Sequence, residues 1–278
     1  MFIADAQVHV GRKHARFAPG RRAEHHAQKP YPVTPDMVRE AMDEAGVDRA
    51  VLVPPSWEGD RNDIALDAAN RYPDRFAVMG RIPLENPDPE ALANWRGQPG
   101  MLGLRFTFHL PEHRALLDDG TAEWVWSAAE EHGVPIMVFV PGAVREIDAV
   151  AERHPGLRLV IDHLAIREGK DDEAFANLGE VLHLARHPNV AVKASALPCF
   201  SSEPYPFPKL HPYIGRVYDT FGPQRMFWGT DWTRLPCSWS EAITLFTEEL
   251  PWLSEEDKEW IMGRALCEWL GWPLPADA

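Results

Sequence analysis

Cysteine is scarce. Cys199, Cys237 and Cys267 are the three in 278 residues, and no Cys-x-x-Cys spacing occurs. An odd count without that spacing excludes a disulfide framework or a zinc ribbon as the organising device, and makes a reducing cytoplasm the expected compartment. Long apolar runs are also missing. Nothing approaches about 18 consecutive apolar residues, so no membrane span and no membrane partner is expected. The first residues, Met1-Phe2-Ile3-Ala4-Asp5, carry no cationic segment ahead of an apolar one and do not read as a signal peptide. Positive charge is the third shortage: 28 Lys and Arg stand against 42 Asp and Glu, a net charge of -14. Such a surface repels nucleic acid and anionic lipid at long range, so no nucleic-acid partner is expected, and any basic site must be local.

What is present suffices for a large core. Apolar residues make up 45% of the chain and charged ones 25%, which excludes disorder as the main state. The length suits about two average domains or one α/β barrel of roughly 250 residues. No linker-like break in composition and no solenoid repeat interrupts the chain, so one domain over residues 1–278 is expected. Proline is abundant, at 26, and much of it punctuates. Helical runs end in Gly or Pro and short apolar runs follow, as at Glu44-Ala45-Gly46-Val47, Glu131-His132-Gly133-Val134-Pro135, His154-Pro155-Gly156-Leu157, His187-Pro188-Asn189-Val190 and Phe221-Gly222-Pro223. Gly stops helices, and Pro follows because it cannot continue them.

Eight strands are predicted, near residues 2–8, 47–53, 75–80, 101–106, 134–140, 157–161, 189–194 and 226–229. They alternate little between apolar and polar, as strands buried on both faces do. Helical faces separate them: Met37, Val38, Ala41, Met42 and Ala45; Trp124, Val125, Ala128 and Ala129; Phe175, Leu178, Val181, Leu182 and Ala185; Ile214, Val217, Tyr218 and Phe221. Thr34-Pro35 reads as an N-cap and first turn, and Ser254 with Asp257 as a variant capping box. The third connection is the least clear. Eight alternating units favour a (β/α)8 TIM barrel, with extra C-terminal helices near 240–250 and 255–270.

In such a barrel the active site lies at the C-terminal ends of the strands. Polar residues fall there on six strands: Asp5, Gln7 and His9 on the first, Arg81 on the third, Arg105 on the fourth, Asp162 and His163 on the sixth, Lys193 and Ser195 on the seventh, and Asp231 with Trp232 on the eighth. In order they read Asp-Ala-x-x-His, Gly-Leu-Arg, Ile-Asp-His-Leu-Ala, Val-Lys-Ala-Ser-Ala and Phe-Trp-Gly-Thr-Asp-Trp. Over residues 2–270 this set resembles the amidohydrolase-related branch of the amidohydrolase superfamily. It is most similar to the lactonase group that includes L-fuconolactonase and pyrone-dicarboxylate lactonase. The resemblance implies a (β/α)8 barrel that hydrolyses lactones.

One departure bears on metal binding. The superfamily usually carries His-x-His at the end of strand one, both imidazoles binding a divalent metal; here the pair is Gln7-x-His9. An amide is a poor zinc ligand. Strand five ends Phe139-Val140-Pro141, where metal-dependent relatives supply another ligand. No cofactor is therefore expected, in agreement with the metal-free reaction that the resemblance implies. The alternative is one divalent metal such as zinc on His9, His163 and Asp231.

Lactone hydrolysis needs a base, an electrophile and binding groups. Asp231 is the expected base, its pKa raised if Trp228 and Trp232 desolvate it. His9 and His163 are the expected carbonyl polarisers. Gln7, Arg81, Arg105, Lys193 and Trp232 are the expected substrate-binding residues, Gln7 donating through its amide and Lys193 adding a cation near the developing charge. Asp162 reads as a brace. His132, His154 and His187 sit at helix C-termini, where a cation suits the dipole, and read as structural. Cys199 reads as an inert thiol beside the mouth.

Residues 11–33 lack apolar periodicity and hold Arg12, Lys13, Arg16, Arg21, Arg22 and Lys29 against the single acid Glu24. Long loops of this kind are commonly functional. This one is expected to form part of a lid over a small anionic substrate, with Arg81 and Arg105 pairing its carboxylate. The Pro198–Pro212 stretch is a second expected wall, with Tyr205 and Phe207 offered to a ring. Trp252, Trp260, Trp269 and Trp272 are candidates for core or for a homodimer contact. A metal-dependent decarboxylase or amide hydrolase and a non-catalytic ligand-binding barrel are the competing readings.

Overall fold

The computed structural model describes residues 1–11 and 32–276. Eight strands, β1 (Ala4–Val8), β2 (Arg49–Leu52), β3 (Phe76–Gly80), β4 (Met101–Thr107), β5 (Ile136–Phe139), β6 (Leu159–Ile161), β7 (Val190–Ser195) and β8 (Met226–Gly229), run parallel in sequential order. Helices separate them, and β8 returns beside β1, where the Asp231 N–H donates to the Gln7 carbonyl at 3.0 Å. This is the (β/α)8 barrel expected from the pattern, with strand ends displaced by three residues or fewer.

The near-continuous apolar strands have a two-sided explanation. Successive side chains point to opposite faces. Leu52, Val78, Leu104, Val138, Ile161 and Val192 face outward onto Val38, Met42, Val125, Ile147, Val181 and Val217 of the helices. Val51, Ala77, Met137, Val160, Ala191 and Phe227 face the barrel axis. The inner set is joined by Ala265, Leu266 and Leu270 from the C-terminal helix Ala265–Leu270, which plugs the N-terminal end. Gly263, in the π-helical turn ahead of it, allows this: a Cβ there would lie 2.9 Å from the Ala4 nitrogen.

Local signals performed unevenly. Thr34 caps the helix Pro35–Ala45 by accepting from the Met37 N–H at 3.2 Å, and Gly46 ends it in the left-handed region. Val38 and Met42 are buried, but Met37 is 39% exposed, so the predicted apolar face is narrower. Ser254 caps the helix Glu255–Glu259, but Asp257 accepts from the Ser254 and Tyr218 hydroxyls rather than closing a box. The reciprocal box is at Ser238 and Glu241. The helix predicted over Phe175–Ala185 is broken, with Asp171–Ala174 and Leu178–His183 as separate pieces. The third connection holds only a short helix, Pro89–Ala93, and one 3-10 turn. Trp272 is core and Trp252 is 40% exposed. Among the described residues no helix is long and apolar enough to cross a membrane. The basic segment predicted over residues 11–33 lies almost wholly outside the described residues.

Candidate active site

The inward face that carries Ala77, Val160 and Ala191 continues, two residues at a time, to Arg81, Asp162 and Lys193. Period two thus lifts the polar side chains onto the C-terminal mouth above an apolar plug. Three neighbouring strands end by turning through left-handed backbone, at His163 (φ 52°), Ala196 (φ 58°) and Asp231 (φ 51°). Side chains with a Cβ seldom adopt that region, and such strain concentrates where a side chain must be aimed.

Asp231 lies between two imidazoles. Its Oδ1 is 3.2 Å from His9 Nε2, and its Oδ2 is 3.7 Å from His163 Nε2 and 3.6 Å from the Arg234 guanidinium. His9 Nδ1 is 2.7 Å from the Val53 carbonyl, which can only accept, so Nδ1 carries a hydrogen. Gln7 has its amide oxygen 2.7 Å from Lys193 Nζ, which can only donate. Its amide nitrogen therefore faces His9 Nε2, at 3.5 Å. His163 Nδ1 is 2.7 Å from the Ser195 hydroxyl. The negative carboxylate favours a hydrogen on the nitrogen facing it, so Ser195 donates to Nδ1 and the His163 proton sits on Nε2.

The electrostatics overturn one expectation. Burial by itself would raise Asp231, but charge and a hydrogen bond from His9, then His163 and Arg234, outweigh it and hold the carboxyl well below its usual range. The two tryptophans do not reverse this. Trp228 points outward and donates to the Ala242 carbonyl at 3.1 Å, while Trp232 stacks on Trp239 with centroids 5.4 Å apart. His163 moves the other way from a cation: burial lowers it to about 4 despite Asp231 and Asp162, so its ring is neutral at pH 7.

Beneath this group, Asp162 receives Lys193 Nζ at 2.8 Å on one oxygen and Arg105 Nε at 2.9 Å on the other. Burial would raise the carboxyl, yet Lys193 and Arg105 hold it at about 2. Asp162 is thus a brace for two cations. Lys193 is fully buried and directs Gln7. Arg81 donates through Nε to Asp60 at 3.0 Å, and its Nη1 is buried without a hydrogen-bond partner. Burial and the nearby Arg105 lower its pKa. It lines a cavity of about 50 Å³ with Asp60, Thr107 and His113.

Several residues of the mouth escaped the sequence reading. Arg234 follows Asp231 by one turn, a spacing that carried a signal unused. Asp60 reaches the mouth from a loop and His113 from the helix Pro111–Asp118, and the His109 ring lies tilted 5.4 Å from Phe139, which in turn meets His163 at 5.6 Å. Other expectations resolve outside it. Tyr205 donates to Glu249 at 3.0 Å, and Phe207 is buried in the outer core, so neither is offered to a substrate ring. His154 pairs with Glu130 and His187 with Asp148, each at 2.8 Å, as structural histidines do. Burial pushes the Cys199 thiol up to about 11, which leaves it inert. Among the described residues no three His, Cys, Asp or Glu side chains are arranged to hold a metal ion.

Comparison with known proteins follows the same lines. A family model described as amidohydrolase matches residues 4–265. The chain is 34% identical over 198 residues to L-fucono-1,5-lactonase of Burkholderia ambifaria, covering 68% of this chain and 66% of that one. It is 27% identical over 264 residues to the L-fucono-1,5-lactonase of Burkholderia multivorans, covering 88% of each. In fold it resembles a Burkholderia multivorans amidohydrolase solved with bound zinc, with a TM-score of 0.78 at 21% identity over 98% of this chain and 100% of that one. Matched from its first strand to its last helix, the chain belongs to the amidohydrolase family.

Proposed function

We propose that this protein is a hydrolase that opens a lactone ring without a metal. The observation that carries the reading is Asp231 held ionised between His9 and His163, with the lactonase names of its relatives in support. Asp231 takes a proton from water as the water oxygen bonds to the acyl carbon. A carboxyl held so low is a weak base and keeps the proton only briefly, while His9, its Nδ1–H committed to Val53, faces it through Nε2 at 3.2 Å. The neutral His163 donates from Nε2 to the developing oxyanion, its tautomer set by the facing Asp231 carboxylate and matched by Ser195. As the ring C–O bond breaks, Asp231 returns the proton to the leaving alkoxide, giving a hydroxy acid. Asp231 thus serves the proton, His9 steadies the carboxylate and His163 serves the carbonyl.

The donor set argues against zinc at this mouth. Lys193 turns the Gln7 amide so that its N–H bonds, not its oxygen, face His9, and a metal there would meet hydrogens. The substrate is a small lactone carrying a carboxylate, received by the unpartnered Arg81 Nη1, while Asp162 holds Arg105 in place beside it. Purified protein should therefore contain substoichiometric metal and keep its activity in chelator across a screen of sugar and dicarboxylate lactones. Stoichiometric zinc with chelator-sensitive turnover would replace this reading by the metal-dependent one, and binding without turnover by a non-catalytic barrel.

A further inference from the structure

Asp5 takes no part in the chemistry above, yet it is fully buried at the seam where the barrel closes. Its carboxylate collects donors from both sides of that seam. Oδ1 accepts from the Gln7 N–H at 2.9 Å and the Thr230 N–H at 3.0 Å; Oδ2 accepts from the Thr230 hydroxyl and from Trp239 Nε1–H at 3.0 Å. Gln7 leads to His9 on one side, and Thr230 leads to Asp231 on the other. Trp239 belongs to the helix Trp239–Thr247 that follows β8, and it stacks on Trp232, next to Asp231.

The strands come unusually close here. A Cβ on Gly229 would lie 3.1 Å from Asp5 Oδ1 and 3.0 Å from the Ala6 nitrogen. The pairing of β1 with β2 also shifts register between Asp5 and Val8, which turns the end of β1 toward this junction. A carboxylate offers about four lone-pair sites, and here four donors are aimed at them.

We propose that Asp5 is a positioning residue that fixes the separation of Asp231 and His9 by clamping β1, β8 and the Trp239 helix through one carboxylate. It acts through Thr230 and Gln7 and touches no substrate. The inference rests on the lactonase reading for its kinetic consequence, but its geometric consequence is independent of it. Asp5→Asn tests it directly, because the amide keeps one acceptor and points N–H bonds at groups that are themselves donors. Thr230→Val and Trp239→Phe each remove one donor and leave the carboxylate, so they serve if the first variant does not fold.

Per folded molecule, Asp5→Asn should lower kcat by about 100-fold and move KM by less than about 3-fold, since misplacement near 1 Å carries that cost. Thr230→Val and Trp239→Phe should each lower kcat by about 10-fold. A purely structural role would lower Tm and leave kcat of the folded fraction intact. Crystal structures of the same variants should show Asp231 displaced from His9. Unchanged kcat, or an Asp231–His9 distance that stays at 3.2 Å in all three variants, overturns the proposal. Failure of the wild type to open any lactone would instead strike the reaction assigned above, with the crystallographic arm still deciding on Asp5.

Discussion

Taking the Lys193 ammonium fully out of water costs several kcal/mol unless partners replace the solvent. Asp162 and Gln7 do so, and the consequence is an amide locked in one orientation. Lys193→Met should leave Asp162 with Arg105 alone and free the Gln7 amide to rotate. The expected loss of stability is about 3–5 kcal/mol, read by urea unfolding, because a buried charge loses one of its two partners. Asp231→Asn should leave the chain folded, at a cost of about 3–5 kcal/mol as His9 loses its buried partner, and lower kcat of the folded protein by roughly 10³-fold or more, because the amide cannot take the proton from water. A stability loss with kcat of the folded protein intact would mean that Asp231 serves the fold instead. Arg81→Gln should raise KM for carboxylate-bearing lactones by about 10-fold or more, the value of one charge-assisted hydrogen bond, and leave neutral lactones unaffected. An equal rise for both would remove the carboxylate from the substrate description.

At the scale of elements, the sequence exposed what local chemistry dictates. All eight strands were legible because buried parallel strands carry apolar runs bounded by Gly and Pro. Thr34 was legible because an N-cap needs only its own turn. The Ser254 box was not, since Asp257 is drawn toward Tyr218, 39 residues away, and no local rule reports such a competitor. Gly103 shows a further limit. It stands in Gly-Leu-Arg as a motif residue, but its reason is steric: a Cβ would lie 2.3 Å from the Pro135 carbonyl at the approach to β5. Gly103→Ala should therefore push β4 from β5 and destabilise by about 1–3 kcal/mol, the range for overpacking a filled site. Because Arg105 is two residues further along β4, activity should fall with it; a variant of wild-type stability would show that the strands have slack.

For the molecule as a whole, the placement of polar residues at one mouth followed from barrel geometry, so the positions of Asp231, His163, His9, Arg81 and Arg105 were legible from strand ends alone. Their pairings were not, because Lys193 meets Gln7 across 186 residues and Thr230 meets Asp5 across 225. Charge balance depends on those pairings, which is why Asp231 was misjudged as raised. The buried groups also oppose one another in the dependence of stability on pH. His163 is lowered from 6.5 to about 4, so between those values the unfolded chain binds the extra proton and acid destabilises the fold. Asp5 is raised from 3.8 to about 6, because its burial outweighs its donors, Thr230 foremost. In nearly the same window the folded chain binds that proton, and acid stabilises. Each amounts to about 3 kcal/mol, so the wild type should show little net slope from these two between pH 6 and pH 4. Asp162, lowered to about 2 by Lys193 and Arg105 against its burial, adds a loss only as the pH falls below 3.8. Asp5→Asn should unmask the histidine, and urea unfolding across pH 6.5 to pH 4 should reveal a fall of roughly 3 kcal/mol. His163→Gln should produce the opposite slope over the same range. Parallel curves for the wild type and both variants would mean that neither group changes its proton affinity on folding, and the buried electrostatics of the mouth would need another account.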